Sequence, residues 1–114
     1  MTPRKDIVEI IARRELFLDD NGERRKVTLL LGKPHKDPHY EEYSCPYQIL
    51  GAGDEKVRAV CGIDEVQALQ LTIRVLGAEL YSLNRELGGK LRWLGEPGDF
   101  GFEKEMKWLL SEDH

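Results

Sequence analysis

The sequence predicts an α+β domain: an antiparallel β-meander of about four strands packed on one long α-helix, with a C-terminal hairpin and a short helix. Three observations carry this. Runs at Val8–Leu18, Val27–Leu31 and Cys45–Ile49 alternate apolar and polar residues with the period of a strand. From Asp64 to Leu87 the apolar residues recur every three or four positions instead, the period of one helix face. Asn-Gly, Gly-Ala-Gly and Gly-Gly then mark turns, with no linker-like tract, so residues 1–114 read as a single domain.

In chain order, Val8, Ile10, Ala12, Leu16 and Leu18 share one side of an extended strand, with Glu9, Arg13 and Glu15 opposite. Arg14 interrupts the apolar row, which predicts a bulge or a sheet edge there. Residues 4–12 also admit a short helix, because Asp6 and Glu9 have capping-box spacing and Ile7, Ile10 and Ile11 would share its face. The strand is preferred because a hairpin signal follows it. Asp19-Asp20-Asn21-Gly22 tolerates positive φ, and Val27, Leu29 and Leu31 alternate again behind it. Gly32 to Tyr43, with Pro34 and Pro38 and no periodicity, is predicted to be a loop. Cys45, Tyr47 and Ile49 make a third strand, stopped at Gly51-Ala52-Gly53-Asp54, and Val57 to Cys61 a short fourth, broken by Gly62.

Asp64 can cap the helix, and Gln67 can reach back to close a capping box. Val66, Leu69, Ile73, Leu76, Leu80, Leu83 and Leu87 form the main stripe, and Gly88-Gly89 ends it where left-handed backbone is needed. Leu71, Val75 and Ala78, flanked by Ala68, make a second stripe roughly 140° round the helix at 100° per residue. That stripe needs a cover. The C-terminal segment, whose Met106, Trp108, Leu109 and Leu110 suggest a short amphipathic helix, is preferred over a second subunit because it is already in the chain. Leu91-Arg92-Trp93-Leu94 and Phe100-Gly101-Phe102 flank Glu96-Pro97-Gly98-Asp99, whose Pro-Gly pair suits the centre of a type II turn, so a small hairpin is expected.

With 114 residues, 40% hydrophobic and 33% charged, the chain can build one core without staples. A formal charge of -4 has the wrong sign for neutralising phosphates, which argues against nucleic acid and, if the surface is used, favours a basic partner. Apolar runs such as Leu29 to Leu31 are far too short to cross a bilayer, and no leader pattern is visible. Two cysteines without CxxC spacing fit a reducing compartment, so the cytoplasm is the expected location.

Candidate chemistry concentrates around the predicted loop. His35, His39, Cys45 and Cys61 are four nitrogen and sulfur donors that could close a tetrahedral zinc site. Their spacing is not a familiar ligand arrangement, however, and cysteines on strands are usually small buried hydrophobes. Cys45 with His35 or His39 and Asp37 would be a Cys-His enzyme, although no helix begins behind Cys45 to lower its pKa. Glu41 and Glu42 near Asp37 read as solvated loop acids, and Gly51-Ala52-Gly53 as a turn rather than a phosphate cradle. Arg13-Arg14 and Arg24-Arg25-Lys26, across the first hairpin, read as charges neutralised by Asp19, Asp20 and Glu23. Leu71, Val75, Ala78, Trp93 and Trp108 are the interface candidates, with a monomer and a homodimer both open.

The order Cys45-Pro46-Tyr47-Gln48-Ile49, Gly62-Ile63-Asp64, Gln67-Ala68-Leu69-Gln70-Leu71, Gly77-Ala78-Glu79-Leu80 and Gly88-Gly89 before Leu91-Arg92-Trp93 resembles a family of small bacterial proteins carrying a domain of unknown function. The resemblance spans about Ile11 to Phe102. It implies a bacterial, stand-alone protein and brings no activity, cofactor or catalytic residue. The expected function is therefore that of a non-enzymatic binding protein, for instance an immunity-type protein neutralising a basic partner. The alternative is a small enzyme or a metal or ligand binder using the His35–Cys45 loop.

Overall fold

A computed structural model describes Ile7 and residues 9–103. Seven strands form one sheet: β1 (Ile10–Asp20), β2 (Glu23–Gly32), β3 (His35–Lys36), β4 (Tyr43–Leu50), β5 (Arg58–Gly62), β6 (Leu91–Trp93) and β7 (Glu96–Pro97). Helix α1 (Glu65–Glu86) lies between β5 and β6 in the chain. The expected α+β meander is present, since β1, β2, β4 and β5 pair in sequence, all antiparallel. After the helix the chain returns to the far side, where β6 pairs with β1 and β7 with β6.

The Asn21-Gly22 turn works as its chemistry predicts. Both residues have positive φ (51° and 87°), and the strands run in regular register from Asp20↔Glu23 to Ala12↔Leu31. Residues from Ile10 onward are strand, as preferred; residues 1–6 and 8 lie outside the described residues. Of the two expectations at Arg14, the sheet edge holds, because among the described strands β6 meets β1 only at Phe17 and Leu18, and the bulge is displaced. It falls between Ile10 and Ala12, whereas Arg14 sits in the regular ladder opposite Leu29. The predicted Gly32–Tyr43 loop contains β3, which continues β2 past Pro34 and pairs with the first half of β4, one residue out of the β2–β4 register.

Leu16, Leu18, Val27, Leu29, Leu31, Cys45, Tyr47 and Ile49 form the buried face of the sheet. The helix over it is capped as expected: the Gln67 N–H donates to Asp64 Oδ1 (2.8 Å), while Gln67 Oε1 accepts from the Ile63 N–H (2.7 Å). Its end is a Schellman motif, in which the Gly89 N–H reaches Asn84 O and the Gly88 N–H reaches Arg85 O. The facing, though, is rotated from the expected stripe. Ala68, Thr72, Leu76 and Leu80 are the fully buried row, while Val66 is 64% exposed and Ile73 39%. The reason is close approach to β5. A Cβ on Gly62 would lie 2.4 Å from Ala68 N, so the missing side chain lets the first turn of the helix rest on the strand backbone and points Ala68, not Val66, downward.

The C-terminal hairpin turns elsewhere than expected. Leu94 and Gly95 occupy the turn with positive φ (53° and 79°), so Pro97 ends β7 and Phe100–Phe102 is not its second strand. Instead Phe100 inserts into the core, its N–H donating to Tyr81 Oη (3.3 Å), and the Tyr81 hydroxyl donates to Phe102 O (3.0 Å). Phe102 also packs on Gly77, where a Cβ would meet its own Cβ at 2.6 Å. The described part of the C-terminal segment therefore covers the Gly77–Tyr81 flank of α1, not the Leu71–Ala78 flank. The short helix expected around Met106, with Trp108, lies outside the described residues.

Candidate functional site

Three regions bear on function: the His35–Cys45 loop, a polar cleft at the β4–β5 end, and an apolar groove beside α1. In the first, alternation decides the outcome. Cys45 faces the core, its thiol donating to Gly32 O (3.4 Å), and burial pushes its pKa up, opposed by the neighbouring Thr72 hydroxyl, which itself donates to Ala68 O (2.6 Å). A thiol held protonated in this way is a poor nucleophile and ligand. Cys61 pairs across from Ser44, one position off the Cys45 row, and so lies on the opposite, exposed face of the sheet. His35, also paired with Ser44, and His39 are both exposed. The His39 N–H donates to Asp37 Oδ1 (2.8 Å), which makes that stretch a turn, and Lys36 pairs with Glu41 at 3.4 Å. Among the described residues, no three His, Cys, Asp or Glu side chains gather as a metal site.

The polar cleft encloses about 260 Å³ between the β4–β5 loop and α1. Arg58 of β5 donates from Nη1 and Nη2 to Asp54 Oδ1 and Oδ2 (2.9 and 2.6 Å), and its Nε lies 3.7 Å from Glu79 Oε1. The hydroxyl of buried Tyr47 donates to that same Glu79 oxygen at 3.1 Å. The Arg58 hydrogen bonds, with that of the Lys56 N–H, hold Asp54 well below the usual carboxylate range. Burial first, then the Glu79 charge, pushes Tyr47 up to about 12. Asp54 is thus held ionised and Tyr47 protonated, and the network clasps the edge strand to the helix. Sequence reading missed this set because Glu79 lies 32 positions from Tyr47, and Asp54 with Arg58, though close in the chain, forms no motif.

The apolar groove runs between the first half of α1 and the start of the β1–β2 hairpin, with a volume of about 220 Å³. Ala12, Leu29 and Leu31 floor it; Ile73 and Leu76 form the helical wall, and Gly101 with Phe102 closes one end. Arg14 props that closure. Its Nη1 donates to Phe100 O (2.9 Å), and its guanidinium lies 4.3 Å from the Trp93 ring centre and 4.9 Å from that of Phe102. The charged interruption in the apolar row is therefore an anchor for the C-terminal segment. Trp93 belongs to this half-buried stack. Of the other basic residues, Arg25 pairs with Asp20 as expected, whereas Lys26 pairs with Glu15 and Arg24 lies over the Phe17 ring instead. A family model for a domain of unknown function, DUF6968, matches residues 12–104. The chain belongs to this family. That span runs from the floor of the groove to the segment that closes it, so the DUF6968 domain includes the whole site. No curated protein and no solved structure matches the chain.

Proposed function

We propose that the DUF6968 domain is a non-enzymatic binding module that grips a protein partner in the groove between α1 and the β1–β2 hairpin. The carrying observation is the exposure of Ile73 beside the apolar floor of Ala12, Leu29 and Leu31. Each apolar Å² left in water costs about 25 cal/mol relative to burial, so an apolar side chain of a partner seated against Ile73 and this floor recovers that cost. Arg13 and Arg14 line the groove itself, so the net charge of -4 favours a basic partner only through the rest of the surface, and neutralisation of a basic toxin domain is one concrete form of such a role. The test is capture from native-host extract by immobilised wild type and Ile73→Lys, with equal melting temperatures established first. A partner held by wild type, lost from Ile73→Lys and released by salt supports the reading. Equal capture by both refutes it, and loss on His35→Ala or His39→Ala instead would favour the loop.

A further inference from the structure

A different surface carries an inference independent of the groove. We infer that the open edge of β5 and the Leu71–Ala78 flank of α1 together form a two-fold interface with a second copy of this chain.

The edge comes first. Among the described strands β5 pairs with β4 alone, leaving one side of its backbone without a ladder partner. Sheet edges are ordinarily blunted by proline, by lysine, by bulges or by being very short. The opposite edge obeys that rule, since β7 has two residues and one is Pro97. The β5 edge does not. Arg58-Ala59-Val60-Cys61-Gly62 is regular and proline-free, and its one charge is turned back onto Asp54 and Glu79.

The helix supplies the second half. Ala68 abuts Gly62 of β5, Thr72 lies against Cys45 of β4, and Leu76 reaches Leu29 and Leu31 of β2. Round the helix these residues step in one direction, from β5 toward β2. At 100° per residue Leu71, Val75 and Ala78 lie on the other hand, above β5 and toward its open edge. They are half-buried, and Phe100–Phe102 covers the opposite flank. The edge backbone and the apolar flank therefore face the same way.

Charge complementarity selects a second copy as the occupant. In an antiparallel pairing centred on Val60, Ala59 lies beside the partner's Cys61 and Val57 beside the partner's Ile63, a residue 73% exposed in the single chain. Lys56 then meets the partner's Asp64, so opposite charges close both ends of the ladder. The spacing also fits. With strands about 4.8 Å apart and each helix seated over β4 and β5, the two helices lie about 10 Å apart, a normal packing distance. Leu71, Val75 and Ala78 would then meet their own copies across the axis, as an isologous interface requires.

Sedimentation of the full chain from micromolar to submillimolar concentration tests this. The expected species has twice the 13.1 kDa chain mass, and Ala59→Lys and Leu71→Glu each weaken it by about tenfold or more. Ala59 is exposed, so its variant should melt as wild type does in the monomer range. In a Cys45→Ala, Cys61→Ser background, which removes the cross-strand thiol directly opposite position 60, Val60→Cys should oxidise to a covalent dimer while Glu15→Cys does not. A 13.1 kDa mass throughout, or a dimer indifferent to both Ala59→Lys and Leu71→Glu, overturns the interface.

Discussion

Replacing Gly62 with alanine tests the contact that sets the helix on the sheet. Gly62 is buried at the end of β5, and the new Cβ would lie 2.4 Å from Ala68 N, 2.7 Å from Ala68 Cα and 2.9 Å from Gln67 C. All three are backbone atoms of a capped helical turn, so no side-chain rotation relieves the clash. The φ of Gly62 is not in the positive region, so the unfolded-state effect alone would favour alanine by about 0.4–1 kcal/mol. Overpacking of a tight site costs about 1–3 kcal/mol, and the upper end applies where backbone must move. The net loss is about 2 kcal/mol. For 114 residues, with an unfolding entropy of about 2.1 cal/mol/K per residue, this lowers the melting temperature by about 8 °C. Thermal and urea denaturation followed by circular dichroism measure it. Gly77→Ala is the comparison, because there the new Cβ meets Phe102 Cβ at 2.6 Å, and relief needs a shift only of the non-helical, non-strand Gly101–Glu103 backbone rather than of a capped helical turn. Improved helix propensity of about 1 kcal/mol offsets that movement, so Gly77→Ala should stay within about 1 kcal/mol of wild type. Wild-type stability in Gly62→Ala, or a larger loss in Gly77→Ala, would refute the reasoning.

Two further predictions concern the charged and titrating groups. Arg14→Met removes the hydrogen bond to Phe100 O and both ring contacts, and should cost about 2–3 kcal/mol by urea unfolding with a change in Trp93 emission. Tyr47, whose pKa is raised from 10.0 to about 12, binds its proton more tightly when folded than when unfolded. Its contribution is therefore full below pH 10 and declines as the pH rises toward about 12. Tyr47→Phe should flatten that alkaline loss, and phenolate absorbance should show a late-titrating tyrosine in the wild type alone.

Much of the fold was legible in residue order. Alternation placed the meander strands, Asn21-Gly22 placed the first turn, and Asp64 with Gly88-Gly89 bracketed the helix, because each signal acts between residues a few positions apart. The C-terminal turn was misplaced for the same reason in reverse. Pro97-Gly98 has the better local chemistry, but pairing of β6 with β1 and of β7 with β6 puts the reversal at Leu94-Gly95. Of the candidate site, His35, His39, Cys45 and Cys61 were legible as residue types, yet strand alternation sends the two cysteines to opposite faces of the sheet.

The sequence by itself determined an α+β meander with one long capped helix and ruled in no motif of known chemistry. Only the tertiary structure decided which side of that helix meets the sheet, why an arginine stands in an apolar row, and where apolar surface is left open. Periodicity states that a stripe exists but not the angle at which it docks; the missing Cβ of Gly62 sets that angle. Arg14 meets Phe100 across 86 positions and Tyr47 meets Glu79 across 32, separations over which no local propensity acts.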